Sequence, residues 1–357
     1  MMTRFPRGLL CPVNGSAFIF LAVILSLCSC SAVGGGEGEN PINEDIVLVK
    51  DCCRGAELKI GEYMFAAWSE RGIYTTLPLR LVTLDEDLNA RRDTILIHEG
   101  NWHYVHPNRS GDRLLLVKSN FFGVSVGALY EYNVPLGTLR LLRDSTVNVS
   151  SAVYWPGDED RLVYYSYGQM QGTTPLGEGA GYYVLDLTTG ADSLLVGHLS
   201  SGGLREMVNG FDLSPDGRTL LYPNVRAPRT GFLPPQAVAY DLETGNLDTL
   251  AVSFDQSWVR IGLWLRYSPN GRQILYCSYP TGATGHITND DSQVGLIDRA
   301  TLARRILDVN TTPGGRSVQL APTWSPSGRH IAYGSSKLFE HEGAKGRYSL
   351  YILKDVR

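Results

Sequence analysis

Ser214-Pro215-Asp216-Gly217-Arg218-Thr219-Leu220-Leu221-Tyr222 returns as Ser268-Pro269-Asn270-Gly271-Arg272-Gln273-Ile274-Leu275-Tyr276, and again as Ser325-Pro326-Ser327-Gly328-Arg329-His330-Ile331-Ala332-Tyr333. Degenerate copies stand earlier, at Ser110-Gly111-Asp112-Arg113-Leu114-Leu115-Leu116 and Asp158-Glu159-Asp160-Arg161-Leu162-Val163-Tyr164. Aligned on Arg113, Arg161, Arg218, Arg272 and Arg329, the phrase has a period of roughly fifty residues, the mark of a repeat architecture. In each copy Pro presets φ, Asp or Asn tolerates the next position, and Gly accepts positive φ. The phrase is therefore a tight hairpin turn between two strands, and the run after it is short, apolar and rich in strand formers.

Two further elements recur. One is Tyr182-Tyr183-Val184-Leu185-Asp186-Leu187-Thr188-Thr189-Gly190, with its sister Val238-Ala239-Tyr240-Asp241-Leu242-Glu243-Thr244-Gly245. The other opens the next strand, at Asp93-Thr94-Ile95-Leu96, Asp192-Ser193-Leu194-Leu195 and Asp248-Thr249-Leu250. With strand A before the turn, B after it, C ending in Asp or Asn and D starting at Asp-Thr/Ser-Leu, each period holds four strands. That is a propeller blade. A copy without the turn phrase, at residues 63–68, 79–84 and 93–96, brings the number to six. The expected fold is all-β, a six-bladed propeller. Its last copy ends on a C strand near Leu353, so Ile46-Val47-Leu48-Val49-Lys50 is expected to supply the missing strand and close the ring, removing exposed edges.

The Ser-Pro-Asp-Gly-Arg phrase, followed by an apolar strand ending in Tyr, resembles the TolB-like, WD40-like (PD40) propeller repeat over residues 46–357. The resemblance implies a module that docks proteins on one face or takes a peptide into its channel. The chain departs from TolB itself, with no room for an N-terminal α/β domain, and from propeller peptidases, with no hydrolase domain after the ring. A propeller standing alone is the expectation.

Residues 1–29 read as a lipoprotein signal peptide. Arg4 and Arg7 precede an apolar run from Ala17 to Leu27, too short for a comfortable span. Leu27-Cys28-Ser29-Cys30 resembles a bacterial lipobox, with lipidation expected at Cys30 and Cys28 the weaker alternative. The Gly-rich stretch to residue 45 reads as a flexible tether. This places the protein in the bacterial cell envelope as a membrane-anchored lipoprotein, periplasmic or surface-exposed. The net charge of −4 gives no nucleic-acid footprint. Cys52 or Cys53 could meet Cys277, although buried free thiols are the preferred reading; the adjacent pair is poorly placed to bridge itself.

Long B–C loops, near residues 120–127, 168–181, 224–235, 280–292 and 336–346, contrast with minimal A–B turns. Elaboration of one face of a rigid scaffold points to binding there. The A strands would bring Trp102, His103, Glu206, Asn209, Trp258, Arg260, Trp264 and Gln319 to the channel mouth, aromatic and charged groups suited to a peptide or a sugar. His98, His103 and His106 form the one histidine cluster, but a strand's period of two splits a His-x-x-His pair between faces. His286 with Asp290 and Asp291 lacks a calcium-loop pattern. Neither a metal nor a cofactor is expected. Gly-x-Ser-x-Gly, a Walker lysine and His-Glu-x-x-His are all missing. The first expectation is a non-enzymatic scaffold for an envelope protein or peptide. The alternative is a channel-mouth hydrolase or lyase acting on a glycan or lactone.

Overall fold

The structure, a computed structural model, describes residues 46–50, 65–76, 78–98, 100–119, 127–171, 174–175, 179–197, 210–224, 236–250, 259–280, 293–309, 319–335 and 349–356. The chain separates into two units, Met1–Asn43 and Glu44–Arg357, and every described residue lies in the second. Signal peptide, Cys30, tether, Cys52, Cys53 and most of the long B–C loops fall outside the described residues.

The described residues are almost entirely strands in antiparallel sheets. After β1 (Ile46–Lys50), the first sheet runs β2 (Ala66–Ser69), β3 (Gly72–Thr75), β4 (Leu79–Leu84) and β5 (Ala90–Ile97). The second runs β6 (Trp102–Pro107), β7 (Arg113–Ser119), β8 (Gly127–Asn133) and β9 (Thr138–Arg143). The third comprises β10 (Val149–Trp155), β11 (Asp158–Ser166), β14 (Gly181–Asp186) and β15 (Asp192–Gly197), with a small hairpin, β12 (Met170–Gln171) and β13 (Thr174–Pro175), inside its B–C connection. One pair, Val149 with Gly127, joins the second and third sheets into an eight-stranded one. The fourth holds β16 (Asp212–Leu213), β17 (Thr219–Asn224), β18 (Gln236–Asp241) and β19 (Leu247–Leu250). The fifth holds β20 (Val259–Tyr267), β21 (Gln273–Pro280), β22 (Gln293–Asp298) and β23 (Arg304–Val309). The last consists of β24 (Gln319–Trp324), β25 (Ile331–Ser335) and β26 (Ser349–Leu353), and β1 completes it by pairing antiparallel with β26.

The turn phrase does what its chemistry requires. Gly217, Gly271 and Gly328 have φ of 70°, 69° and 70°. Ser214 Oγ accepts the amide of Thr219 at 2.9 Å and donates to Asp216 Oδ1 at 2.5 Å, while the Gly217 amide donates to Ser214 O at 2.7 Å. Ser268 and Ser325 repeat the pattern with Asn270 and Ser327. The structure shifts one detail of the sequence alignment. Arg113 and Arg161 pair with Asn133 and Asp186, the positions that Thr219 and Gln273 occupy opposite Asp241 and Asp298. The early arginines therefore lie one residue beyond Arg218, Arg272 and Arg329, because Gly111, not Asp112, closes the turn. The first sheet lacks the phrase but keeps a turn, with Ser69 paired to Gly72 around Glu70 and Arg71.

The core lies between sheets. Val153, Val163, Tyr165 and Tyr182 of the third sheet pack on Phe211, Leu213 and Leu220 of the fourth. Leu221 and Ala237 meet Leu265, Tyr267 and Ile274 of the fifth, and Leu275, Val294 and Leu296 meet Trp324, Ile331 and Tyr351 of the last. Sheets buried on both faces need unbroken apolar strands, which is why the B strands read Leu114-Leu115-Leu116-Val117 and Ile274-Leu275-Tyr276 without alternation. First strands neighbour one another in the order β2, β6, β10, β16, β20, β24, and β24 lies against β2. At that last junction the Trp68 amide donates to Thr323 Oγ1 at 3.3 Å, Trp68 stacks on His330, and Lys354 Nζ donates to Asp87 O at 3.0 Å.

Candidate functional site at the meeting of the first strands

The first strands converge. Arg266 of β20 donates through Nη2 to the Tyr104 hydroxyl of β6 at 2.9 Å, and through Nη1 to the carbonyl of Phe211. β6 and β20 belong to the second and fifth sheets, with two sheets between them on one side of the cycle and two on the other. A hydrogen bond between them therefore joins two sheets that are not neighbours in this order.

Two layers of side chains surround this bond. Tyr104, Trp264 and Phe65 make the inner one, with Phe65 edge-on to Tyr104 at 5.9 Å and to Trp264 at 5.3 Å. All three are buried, as are Gly210 and Ala321. Two residues closer to the A–B turns stands the second layer. His106 faces Leu115, Asp212 faces Leu221, Arg266 faces Leu275 and Thr323 faces Ala332, the same position in four sheets. These four keep part of their surface open to solvent, although His106, Asp212 and Arg266 lie deep in the protein. The equivalent residues of the first and third sheets, Ala67 and Val153, are small or apolar and buried. On the turn side of the buried aromatic layer, four part-exposed polar side chains thus form a polar layer, called the vestibule below.

Its electrostatics follow from depth. Burial raises the Asp212 carboxyl, and although Arg266 and the amides of Tyr267 and Leu213 pull it back, it settles at about 6. Those amides donate to Asp212 Oδ2 at 2.8 Å and Oδ1 at 3.0 Å. Burial, seconded by Arg266, holds His106 well below the usual imidazole range, so the ring is neutral at physiological pH. Burial also raises the Tyr104 hydroxyl. Burial opposes the Arg266 charge, yet Tyr104 and Asp212 more than offset it.

Of the residues singled out in the sequence, Trp102, His103 and Trp264 are buried. Trp102 packs within its own sheet, edge-on to Tyr130 at 5.5 Å and under Lys118. Trp264 reaches the aromatic floor. Arg260 and Gln319 lie on β20 and β24, but their side chains, like Glu206, Asn209 and Trp258 altogether, fall outside the described residues. His98 is exposed, far in character from its buried neighbour His103. Among the described residues no three His, Cys, Asp or Glu side chains gather as metal ligands would. Cys277 is buried. The sequence reading missed Asp212, Arg266 and Tyr104.

No family model matches the chain, and no curated protein does. Solved structures do. A structure described as TolB from Agrobacterium tumefaciens superposes with a TM-score of 0.51 at 17% identity, over 87% of this chain and 97% of that one. The fold is a TolB-like β-propeller. An oligogalacturonate lyase from Vibrio parahaemolyticus carries the same fold, with a TM-score of 0.50 at 14% identity over 80% of this chain and 76% of its own. TolB from Acinetobacter baumannii gives 0.49 at 16% identity over 82% of this chain, and this propeller spans 63% of that protein's length. Identities this low speak for the fold alone.

Proposed function

We propose that this chain is an exported, lipid-anchored binding scaffold of the bacterial cell envelope, built as a closed six-bladed propeller. Its partner, an envelope protein or peptide, inserts a group into the axial vestibule. The observation that carries the reading is the vestibule itself: four polar side chains from four sheets, open to solvent over a closed apolar floor. The cyclic neighbourhood of the first strands and the β1–β26 pairing support six blades and closure. The TolB-like fold supports a protein partner. Because Arg266, Tyr104, Phe65 and Trp264 fill the axis, a partner enters and stops; it does not pass through. Glu206, Asn209, Trp258, Arg260 and Gln319 are kept as proposed partner contacts on the sequence reading alone.

Affinity capture from solubilised envelope membranes, with mass spectrometry of what co-purifies, tests the scaffold reading. The expected result is a specific envelope protein whose capture falls when vestibule residues change. Fractionation of a Cys30→Ser variant tests the anchor: release from membranes or blocked processing is expected, and unchanged partition removes the lipoprotein claim. The alternative, a hydrolase or lyase, predicts cleavage of a glycan such as oligogalacturonate by the purified protein. Turnover there, with no captured partner, would overturn the scaffold.

A further inference from the structure

We propose that the vestibule is a carboxylate-binding site anchored by Arg266. The inference deepens the scaffold reading and rests on it for the nature of the partner. Its starting point is a mismatch. Charges deep in a protein are normally paired with an opposite charge, because desolvating one alone is costly. Arg266 is deep, and although Asp212 attracts it, no direct ion pair joins it to any described acid. Asp212, the acid beside it, has each carboxylate oxygen engaged by a backbone amide, from Leu213 and Tyr267. Among the described residues Arg266 itself is bound only to neutral acceptors, the Phe211 carbonyl and the Tyr104 hydroxyl.

Those two bonds fix the plane of the guanidinium. A guanidinium has five N–H donors in a rigid fork, so donors remain for a planar anion, and little rotamer freedom is left to lose when it arrives. The neighbours complete the donor set. Among the described residues His106 Nδ1 is buried without a hydrogen-bond partner, and its ring is neutral at physiological pH. Thr323 Oγ1 accepts from the Trp68 amide and still has its own proton to give. Asp212 limits the charge of the guest. A singly charged carboxylate gains one guanidinium and meets one carboxylate, whereas a phosphate would bring a second negative charge against it.

Asp212 also sets the pH response. The charged and titratable groups facing it are Arg266 and Tyr267 of β20 and Tyr104 of β6, and its other neighbouring strand, β10, places apolar Val153 in this layer. With its carboxyl at about 6, acidification from neutral pH protonates Asp212 and leaves Arg266 as the one charge in the vestibule. Carboxylate affinity therefore rises as pH falls through that value.

Two sources share this chemistry: a free small carboxylate, or the acidic end or side chain of a partner polypeptide. The full chain in detergent is titrated calorimetrically at pH 5.5 and 7.5 with three probes: formate, a tripeptide with a free C-terminus, and a blocked tripeptide carrying one Asp. Formate binding alone assigns a small-molecule ligand, and tighter peptide binding assigns a polypeptide. At least one probe is expected to bind threefold or more tightly at pH 5.5, to lose tenfold or more in Arg266→Gln, and to become independent of pH in Asp212→Asn. Absence of binding by all three, binding retained in folded Arg266→Gln, or equal affinity at both pH values overturns the proposal. Should Arg266→Gln fail to fold, the Asp212→Asn profile decides, and a profile as steep as the parent's is the overturning result. Envelope capture unaffected by these variants, with no carboxylate bound, removes this inference and leaves the scaffold standing. Carboxylate binding with no captured partner does the reverse.

Discussion

Gly217 shows how one residue serves two sheets. At φ 70° it is in the left-handed region, where any Cβ is strained. A Cβ there would also lie 2.8 Å from Trp155 Nε1 of the preceding sheet. Gly157 has φ 77° but, among the described residues, nothing within 4 Å of its would-be Cβ. The pair separates backbone strain from crowding. Gly157→Ala is expected to cost about 1 kcal/mol and Gly217→Ala about 2–3 kcal/mol, read from urea midpoints. Equal costs would mean that the Trp155 contact yields freely. Ser268 makes a complementary case: buried, it accepts the Gln273 amide at 3.0 Å and donates to Asn270 at 2.8 Å. Ser268→Ala leaves that amide with a poorer partner and should cost about 1–2 kcal/mol by the same measurement. These local devices were legible in the sequence because each is contained in a few consecutive residues. Ser, Pro, Asp and Gly each have one job at one turn position, and the job repeats.

At the scale of elements, pairing and core were legible, and the site was not. The orphan strand at 46–50 could be matched to a sheet ending on its C strand by counting alone, and β1 does pair with β26, Ile46 opposite Leu353 and Leu48 opposite Tyr351. A proline there fixes φ, restricts the residue before it and should loosen the β1–β26 pairing, opening the edge of the last sheet. Leu48→Pro is expected to lower stability by roughly 1–3 kcal/mol and to promote aggregation, checked by denaturant melts and light scattering; a variant as stable as the parent would deny β1 any part in holding the last sheet together. The vestibule escaped notice for a physical reason. Its position, two residues before the turn, is Ala67, His106, Val153, Asp212, Arg266 and Thr323 in successive sheets. Repeats advertise structure where they agree, and here function sits where they disagree. Bulges worsen the reading. Register shifts between Trp102 and Tyr104, and between Ile261 and Trp264, break the simple alternation upstream, so strand parity does not say which side chains face the axis. A polar residue at a non-repeating position of an otherwise apolar strand was the available signal.

For the molecule as a whole, the vestibule ties stability to pH through two groups of opposite sign. Asp212 ordinarily titrates at 3.8 and in the folded protein at about 6. Between those values the folded state holds a proton that the unfolded chain lacks, so Asp212's contribution to stability falls as pH rises through this window. Above pH 6 its full cost is present, about 3 kcal/mol. His106 runs the other way. Its folded pKa is depressed well below 6.5, so the unfolded chain takes up the proton first and stability falls as pH drops below 6.5. In the native protein the two slopes partly cancel between pH 4.5 and 6.5. Removing either uncovers the other. His106→Gln should grow more stable on acidification across that interval, and Asp212→Asn should grow less stable, each relative to the parent and measured as urea midpoints at half-unit steps. Parallel profiles for all three proteins would show that neither group changes its protonation on folding, and the electrostatic account of the vestibule would fall with them. The predicted divergence would establish a carboxylate that titrates near 6 and an imidazole that stays neutral in the folded protein, so that Arg266 keeps the one lasting charge beside them as pH falls.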